Sequence, residues 1–194
     1  MGTQVLVNKN GASVPLEVDE HNNLGVVNVD YVHEKVHDGE VFSFNYFDSD
    51  VDSGETMRLK IVTGSKYFHF VFEAQFEAKA IFRSRSGGTY GAGTAPDDVK
   101  LTKFARKTDS TKTIETVVTY EPTVTTAGIV RGFRPILGGT GNSRVGSSIG
   151  PTRIESLIAP NTTIILEIEN TSGTNNNYGC IVIDECYETT AAEL

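Results

Sequence analysis

Apolar and polar residues alternate from position 66 to position 83, in the run KYFHFVFEAQFEAKAIFR. The even positions are all apolar, and they are Phe68, Phe70, Phe72, Ala74, Phe76, Ala78, Ala80 and Phe82. A side-chain period of two is typical of a β-strand with one face in a core and the other in water. Because about eighteen residues exceed an ordinary strand of five or six, the pattern predicts one long strand that bends midway, where Ala74, Ala78 and Ala80 leave room.

Shorter runs with strand character recur along the chain, separated by residues that favour turns. The predicted strands cover Glu40 to Phe47, Met57 to Ile61, Thr113 to Tyr120, and the runs NTTIILEIEN and YGCIVIDECYE near the end. Two Gly-rich loops are expected at residues 86–98 and 137–152. We count about eight core strands and no helix. This spacing predicts an all-β fold, either a sandwich, a jelly roll or a barrel.

The first thirty residues differ from the rest, because they contain only short extended pieces broken by KNG and HNNLG. Two interpretations fit residues 1–30. They form either edge strands of the main domain or an extended N-terminal arm that clasps a neighbouring subunit. The β-sandwich domain itself is expected to cover residues 31–194.

Length, charge and hydropathy limit the kinds of function that the sequence supports. A chain of 194 residues is expected to form one domain. The net charge of −8 counts against nucleic acid as a partner, since nucleic acid binding needs clustered Lys and Arg. No signal-peptide pattern is visible, and no apolar run approaches the length needed to cross a membrane. We therefore expect synthesis in a cytoplasm and no membrane partner.

The two cysteines, Cys180 and Cys186, lie on one predicted strand. Six residues at ~3.3 Å each would separate them by about 20 Å. A disulfide needs Cα atoms within roughly 7 Å. The two residues are therefore predicted to be buried thiols in a reducing compartment.

Two short patterns suggest metal ligands. Asp48, Asp50 and Asp52 alternate in DSDVDSG, but Leu59 stands where an EF-hand loop needs its glutamate. The segment is therefore either a solvated hairpin turn or a site for a hard cation. His33 and His37 have the spacing of a zinc helix, yet the flanking VNVDYV is strand-like and would place the imidazoles about 13 Å apart. No metal site is predicted from either pattern.

Patterns of catalysis are missing from the sequence. A G-x-S-x-G nucleophile elbow is absent, and the Gly-rich loops lack the G-K-[ST] ending of a phosphate cradle. Acidic residues are scattered, and nothing favours a particular pair for acid–base chemistry. We expect neither an enzyme nor a cofactor, and we predict no catalytic residue.

Several short segments occur in an order that resembles the order found in a known protein family. These are VHDGEVFSF from Val36 to Phe44, IVT at 61–63, KYFHF at 66–70, PNTT at 160–163, IENTS at 168–172 and the closing Tyr187-Glu188. Their order and spacing resemble those of tailed-phage head decoration proteins, also called cement or capsid-stabilising proteins. The resemblance covers about residues 30 to 188.

This resemblance implies a jelly-roll-like antiparallel β-sandwich without catalytic residues. Such proteins form homo-oligomers on the outer surface of the virion capsid and tie major capsid protein subunits together. Whether the oligomer is a dimer or a trimer stays open.

A symmetric oligomer needs a self-complementary surface. We place it on the polar face of the long strand, at Tyr67, His69, Val71 and Ile81. A second hypothesis is a carbohydrate- or receptor-binding β-sandwich module of a phage tail or fibre. Sugar recognition would then use exposed tyrosines, for which Tyr31, Tyr90 and Tyr178 are the candidates.

Overall fold

The computed structural model describes residues 6–9, 12–15, 31–138, 147–148 and 154–193. Within them one short helix, α1, spans Tyr31–His37, and all other regular structure is β. The strands in chain order are β1 (Leu6–Lys9), β2 (Ala12–Pro15), β3 (Phe42–Val51), β4 (Thr56–Val62), β5 (Tyr67–Phe76), β6 (Ala80–Ser86), β7 (Thr89–Tyr90), β8 (Leu101–Ala105), β9 (Val117–Tyr120), β10 (Val124–Thr126), β11 (Ile129–Ile136), β12 (Ser147–Ser148), β13 (Ile154–Ile158), β14 (Thr163–Asn170) and β15 (Asn177–Thr189).

Two antiparallel sheets pack face to face, so the predicted all-β sandwich is confirmed. Sheet I has the strand order β13-β5-β15-β3-β8, with β12 also paired to β5. Sheet II has the order β11-β6-β14-β4-β9. Eight of these strands form a hairpin folded over on itself: β3 pairs with β15, β4 with β14, β5 with β13, and β6 with β11. This pairing is that of a jelly roll, in which strands alternate between two sheets.

Strands β8 and β9 belong to an insertion between β6 and β11. Strand β8 extends sheet I beside β3, and β9 extends sheet II beside β4. A further part of the insertion, β7 and β10, forms a small two-stranded ribbon. We call this ribbon and its flanking loop, residues 87–95 and 122–128, the flap. The Lys60 Nζ donates to the Gly91 carbonyl oxygen at 2.6 Å and the Thr119 hydroxyl to that of Ala92 at 2.9 Å, which holds the flap on the outer face of sheet II.

The core lies between the sheets and is rich in phenylalanine. All eight even positions of the run from Phe68 to Phe82 are buried, as the alternation predicts. The run is two strands, however, because it leaves sheet I after β5, turns at residues 77–79 and enters sheet II as β6. Phe72 and Phe82 consequently stack across the core, with ring centroids 5.1 Å apart. At the bend, the Gly138 backbone lies so close to Ala78 that a Cβ on residue 138 would meet the Ala78 carbonyl carbon at 2.0 Å.

Strand β15 contains a β-bulge that changes which residues face the core. Asp184 pairs with Val71 and Tyr187 with His69, so three steps on β15 match two on β5. Glu185 absorbs the extra residue with a φ of 52°. Ile183 before the bulge and Cys186 after it are therefore both fully buried. Both cysteines are free thiols; Cys186 is buried, as predicted, whereas Cys180 is only half-buried.

The prediction that the chain has no helix is wrong at residues 31–37. Helix α1 places His33 and His37 one turn apart, with ring centroids at 4.5 Å and the two Nε2 atoms at 3.0 Å. The expected 13 Å separation is wrong for the same reason, since helical residues four apart are neighbours. Among the described residues, α1 is not long or apolar enough to span a membrane. Upstream, β1 and β2 pair with each other as a hairpin, and residues 16–30 lie outside the described residues.

Smaller differences concern the loops. The predicted hairpin turn DSDVDSG is shorter than expected, because β3 continues to Val51. The strand predicted at 113–120 begins only at Val117. The first Gly-rich loop contains β7. Most of the second, 139–146 and 149–152, lies outside the described residues; Leu137, Gly138 and β12 are its described parts.

Candidate functional site

A cleft of about 580 Å³ opens where β3 turns into β4. Asp48 lies at its wall and is 8% exposed. Lys100 bridges the two sheets here, with its Nζ 2.9 Å from the Asp48 Oδ2 and 3.0 Å from the Glu121 Oε1. The hydrogen bond to Asp48 is the main reason why the pKa of Lys100 is raised, so this side chain stays cationic. The charges that line the cleft deepest are thus already compensated by one another.

The three alternating aspartates therefore do not act as one group. The Asp48 carboxylate is engaged by Lys100, and the Asp52 Oδ1 accepts from the Asn176 amide at 3.1 Å. Among the described residues no group of three or more His, Cys, Asp or Glu side chains is placed to hold a metal ion. Neither the three aspartates Asp48, Asp50 and Asp52 nor the exposed pair His33 and His37 belongs to such a group.

Beside the cleft, two tyrosine rings pack against each other across the sandwich at a tilt of 34°. The Tyr46 and Tyr120 ring centroids are 5.3 Å apart, and burial raises the pKa of Tyr46. The Tyr120 hydroxyl donates to Asp97 at 2.5 Å, while the backbone amides of Val99 and Lys100 donate to its other oxygen at 3.0 and 2.9 Å. These donors, above all Tyr120, lower the pKa of Asp97. Asp97 thus anchors the insertion to the rim of the core.

The outer face of sheet II holds a compact ionic cluster under the flap. Glu167 is 5% exposed although it faces away from the core. The Arg85 Nε lies 2.6 Å from its Oε1, the Arg58 Nε 3.4 Å from its Oε2, and the Arg83 Nη1 3.8 Å from its Oε1. Arg83 also binds Glu169 at 2.5 Å. Three cations and two anions leave one net positive charge, but each guanidinium is already paired, which indicates a structural role.

The four predicted interface residues do not form one surface. Tyr67, His69 and Val71 lie on β5 in sheet I, whereas Ile81 lies on β6 in sheet II. Since the outer faces of the two sheets point in opposite directions, the prediction that Ile81 joins the other three is wrong. Tyr67, Val71 and Ile81 are half-buried in the single chain.

His69 is buried, which contradicts its expected place at the surface; it is 6% exposed. Its ring stacks on Tyr187 at a centroid distance of 4.4 Å, and its Nε2 is hydrogen-bonded to the Glu155 carboxylate. Tyr31 at the start of α1 packs edge-on against Tyr187 at 5.7 Å. The alternation correctly marked His69 as facing outward, but it carried no sign that α1, β13 and β15 cover this part of the face.

One exposed aromatic pair remains on sheet I. Phe47 and Tyr178 are 44% and 52% exposed, and their ring centroids are 6.0 Å apart at an interplanar angle of 29°. They border a depression of about 210 Å³ that Gln75, Glu77 and Cys180 also line. Of the three tyrosines suggested for sugar recognition, only Tyr178 adjoins a second exposed ring. Tyr90 donates its hydroxyl to the Ala127 carbonyl within the flap, and Tyr31 packs on Tyr187.

The largest concentration of exposed apolar side chains is on β11. Ile129 is 62% exposed, Val130 42%, Phe133 58%, and Leu137 just beyond the strand 76%. Strand β11 forms one edge of sheet II, and among the described strands it pairs only with β6. Arg131 and Arg134 are exposed between these apolar residues. Arg131, Arg134 and Pro135 are residue types that discourage pairing at a sheet edge, but an edge strand with this much exposed apolar side chain is still a template for pairing with another chain. No motif in the sequence had indicated it.

No known protein family matches the chain, and neither does any curated protein or solved structure.

Replacing Glu167 with Ala is expected to lower the free energy of unfolding by about 2 to 3 kcal/mol, because three partly buried arginines lose their shared partner. Urea unfolding followed by circular dichroism measures the change. Glu169→Gln is the matched control on the same strand, and since Glu169 is 33% exposed, its loss is expected to stay below about 1 kcal/mol. Equal losses for the two variants would contradict the central role given to Glu167.

The lowered pKa of Asp97 predicts a contribution to stability that depends on pH. This contribution is present above the unfolded pKa of about 3.9 and is lost as the pH falls through the lower folded value. Asp97→Asn should therefore reduce stability near neutral pH and flatten the acid side of a plot of melting temperature against pH. Asp109→Asn, at an exposed loop position, is the control and should leave the profile unchanged. A parallel shift of the whole Asp97→Asn curve would refute this.

Proposed function

We propose that this protein is a structural virion protein that decorates the outer surface of a phage capsid. In this role a homo-oligomer stabilises the shell by cross-linking major capsid protein subunits. The order of segments that resembles cement proteins motivates the proposal, and the jelly-roll sandwich is the fold which that resemblance implies.

The observation that carries the proposal is the exposed edge of β11. A lone soluble domain normally protects its edge strands with charges, prolines or covering segments, and Arg131, Arg134 and Pro135 give β11 part of that protection. The exposed apolar side chains between them are what such a domain normally avoids. Here Ile129, Val130 and Phe133 are at least 42% exposed on a strand with one hydrogen-bonding side unpaired among the described residues. Such a surface suits contacts with other protein chains.

The rest of the molecule suits a rigid clamp. Lys100 at the cleft is paired with Asp48 and Glu121, and Glu167 on sheet II is paired with its arginines, so these groups hold the scaffold together. The net charge of −8 fits a position outside the shell, away from packaged DNA. Stabilisation would arise by mass action, because a protein that binds the assembled lattice and not the free subunits favours assembly. Many weak contacts at equivalent positions add up to strong retention.

The decisive experiment uses particles of the phage that encodes this protein. We expect stripped particles to release DNA at a lower temperature than decorated ones, measured by a dye that fluoresces on free DNA. Adding back the purified protein should restore the higher temperature, whereas a Phe133→Asp variant should restore it less. If stripped and decorated particles release DNA at the same temperature, the proposed function is wrong.

A second candidate function is supported by the Phe47–Tyr178 pair. Aromatic rings bind the apolar faces of sugars, and a few polar groups beside them fix the orientation of the ligand. Gln75 and Glu77 supply polar groups at the border of the depression, where Gln75 donates to Glu73 at 2.8 Å and Glu77 accepts from the Tyr178 amide at 3.1 Å. The pair therefore favours a carbohydrate-binding module as the alternative.

A glycan array with the purified protein tests this alternative. If it is correct, specific glycans bind, and Tyr178→Ala weakens their binding at least about tenfold through the loss of ring stacking. Tyr31→Ala serves as the control, because Tyr31 is also an exposed tyrosine but packs on Tyr187 away from the pair. Absence of specific binding, or equal binding by the Tyr178 variant, would remove the alternative.

A further inference from the structure

We infer that the free edge of β11 binds residues 16–30 of a second copy of this chain as an added β-strand. The inference rests on the self-association that the proposed function includes, and it names the two segments that meet. It combines an edge that the structure leaves unpaired among the described strands with the sequence of a segment outside them.

The edge offers both hydrogen-bonding groups and side chains. One side of β11 pairs with β6 from Ile129 to Ile136, which leaves the other side for a partner strand. The exposed side chains of Ile129, Phe133 and Leu137 supply apolar area. Main-chain hydrogen bonds then give affinity, and side chains at alternate positions give specificity, as in other cases of strand addition.

Charge indicates which segment occupies the edge. Arg131 and Arg134 are exposed on β11, and neither forms a salt bridge with any described residue. Within the described part of the chain, Arg131 donates to the Ser86 hydroxyl at 2.7 Å. Residues 16–30, LEVDEHNNLGVVNVD, contain four acids and no Lys or Arg. Half of the net charge of −8 is thus concentrated in this segment.

The same segment has the hydrophobic pattern of a strand. Leu16 and Val18 alternate with Glu17 and Asp19, and a second apolar group follows from Val26 to Val29. No proline interrupts residues 16–30, so each residue can donate its backbone N–H to a neighbouring strand. The register with β6 places Phe133 and Arg134 on opposite faces of sheet II. A strand of this kind therefore presents apolar side chains to Phe133 on one face and carboxylates to Arg134 on the other.

The competing occupant is β11 of a second copy. Antiparallel pairing of two β11 strands would bring Arg131 and Arg134 of one copy close to those of the other. Like charges on directly opposed strands are destabilising. The acidic segment is therefore the better partner for this edge.

A charge-swap experiment on the full-length protein tests the inference. In the edge variant, Arg131→Glu and Arg134→Glu are combined; in the segment variant, Glu17→Lys, Asp19→Lys and Glu20→Lys are combined. Sedimentation equilibrium at low salt measures the mass of each. We expect the wild-type protein to be oligomeric and each variant to associate at least about tenfold more weakly, because complementary charges have become like charges.

Mixing the two variants distinguishes pairing between copies from pairing within one copy. An equimolar mixture should regain oligomers that contain both chains, since each segment now finds a complementary edge on the other variant. A mixture that stays monomeric would mean that the segment of one copy does not pair with the edge of another, and the inference would be wrong.

The control variant combines Lys66→Glu with Lys107→Glu, which changes the net charge as much as the edge variant does but at exposed positions away from β11. It should associate like the wild-type protein, and circular dichroism should show that every variant is folded. Hydrogen exchange adds an independent measure: the β11 amides on the side away from β6 should be protected in the wild-type protein and lose that protection when residues 16–30 are deleted. A monomeric wild-type protein, or unchanged protection after the deletion, would overturn the inference.

Shell binding is measured separately on stripped particles. An oligomer that forms as described yet fails to raise the temperature of DNA release would refute the proposed function and leave this inference intact. A monomer that still raises the temperature of DNA release would refute this inference and leave the role in shell stabilisation intact.

Discussion

The inward row of side chains from Phe68 to Phe82 is the constraint on which the rest of the fold depends. The row keeps one side of the chain in the core while the chain passes from sheet I to sheet II. Strand β5 is hydrogen-bonded to β15 and β13, and β6 to β14 and β11, so the row fixes the position of most of the sandwich. A slip of one residue in either pairing would turn the phenylalanines toward water. The bend works because Ala78 is small and the Gly138 backbone fits against it.

Much of this was predictable, because period-two burial is a local property. The buried positions of β5 and β6, the alternation in β4 and the two-layered architecture all follow from it. The failures have non-local causes. Nothing in the run itself shows that its halves enter different sheets. The bulge at Glu185 moves the buried positions from Ile183 to Cys186, and no Gly or Pro marks it. Helix α1 does have an acidic first turn and a basic last turn, but the valines around it favoured a strand.

The sites were harder to predict than the fold, because their partners are distant in the sequence. Glu167 is buried by a flap that comes from an insertion, and its arginine partners stand on two other strands. His69 faces outward as the pattern requires, yet Tyr187 and the neighbouring elements close over it. In both cases other parts of the chain cover the outer face of a sheet. The alternation of residues within one strand does not show whether its outer face is covered. The exposed apolar side chains of β11 were not predicted, because the sequence of an apolar strand is the same whether its edge is covered or free.

The pairing of the first and last jelly-roll strands also determines how the molecule tolerates added sequence. Because β3 and β15 run antiparallel, the segment that enters β3 and the segment that leaves β15 emerge at the same end, near Phe42 and Cys186. The tight connection between β3 and β4, with Gly54 at a φ of 81° and no neighbour within reach of a Cβ, lies at the other end. A peptide inserted there for surface display would project away from the end where the chain enters β3 and leaves β15. A cargo fused after β15 would instead lie beside helix α1, whose Tyr31 packs on Tyr187.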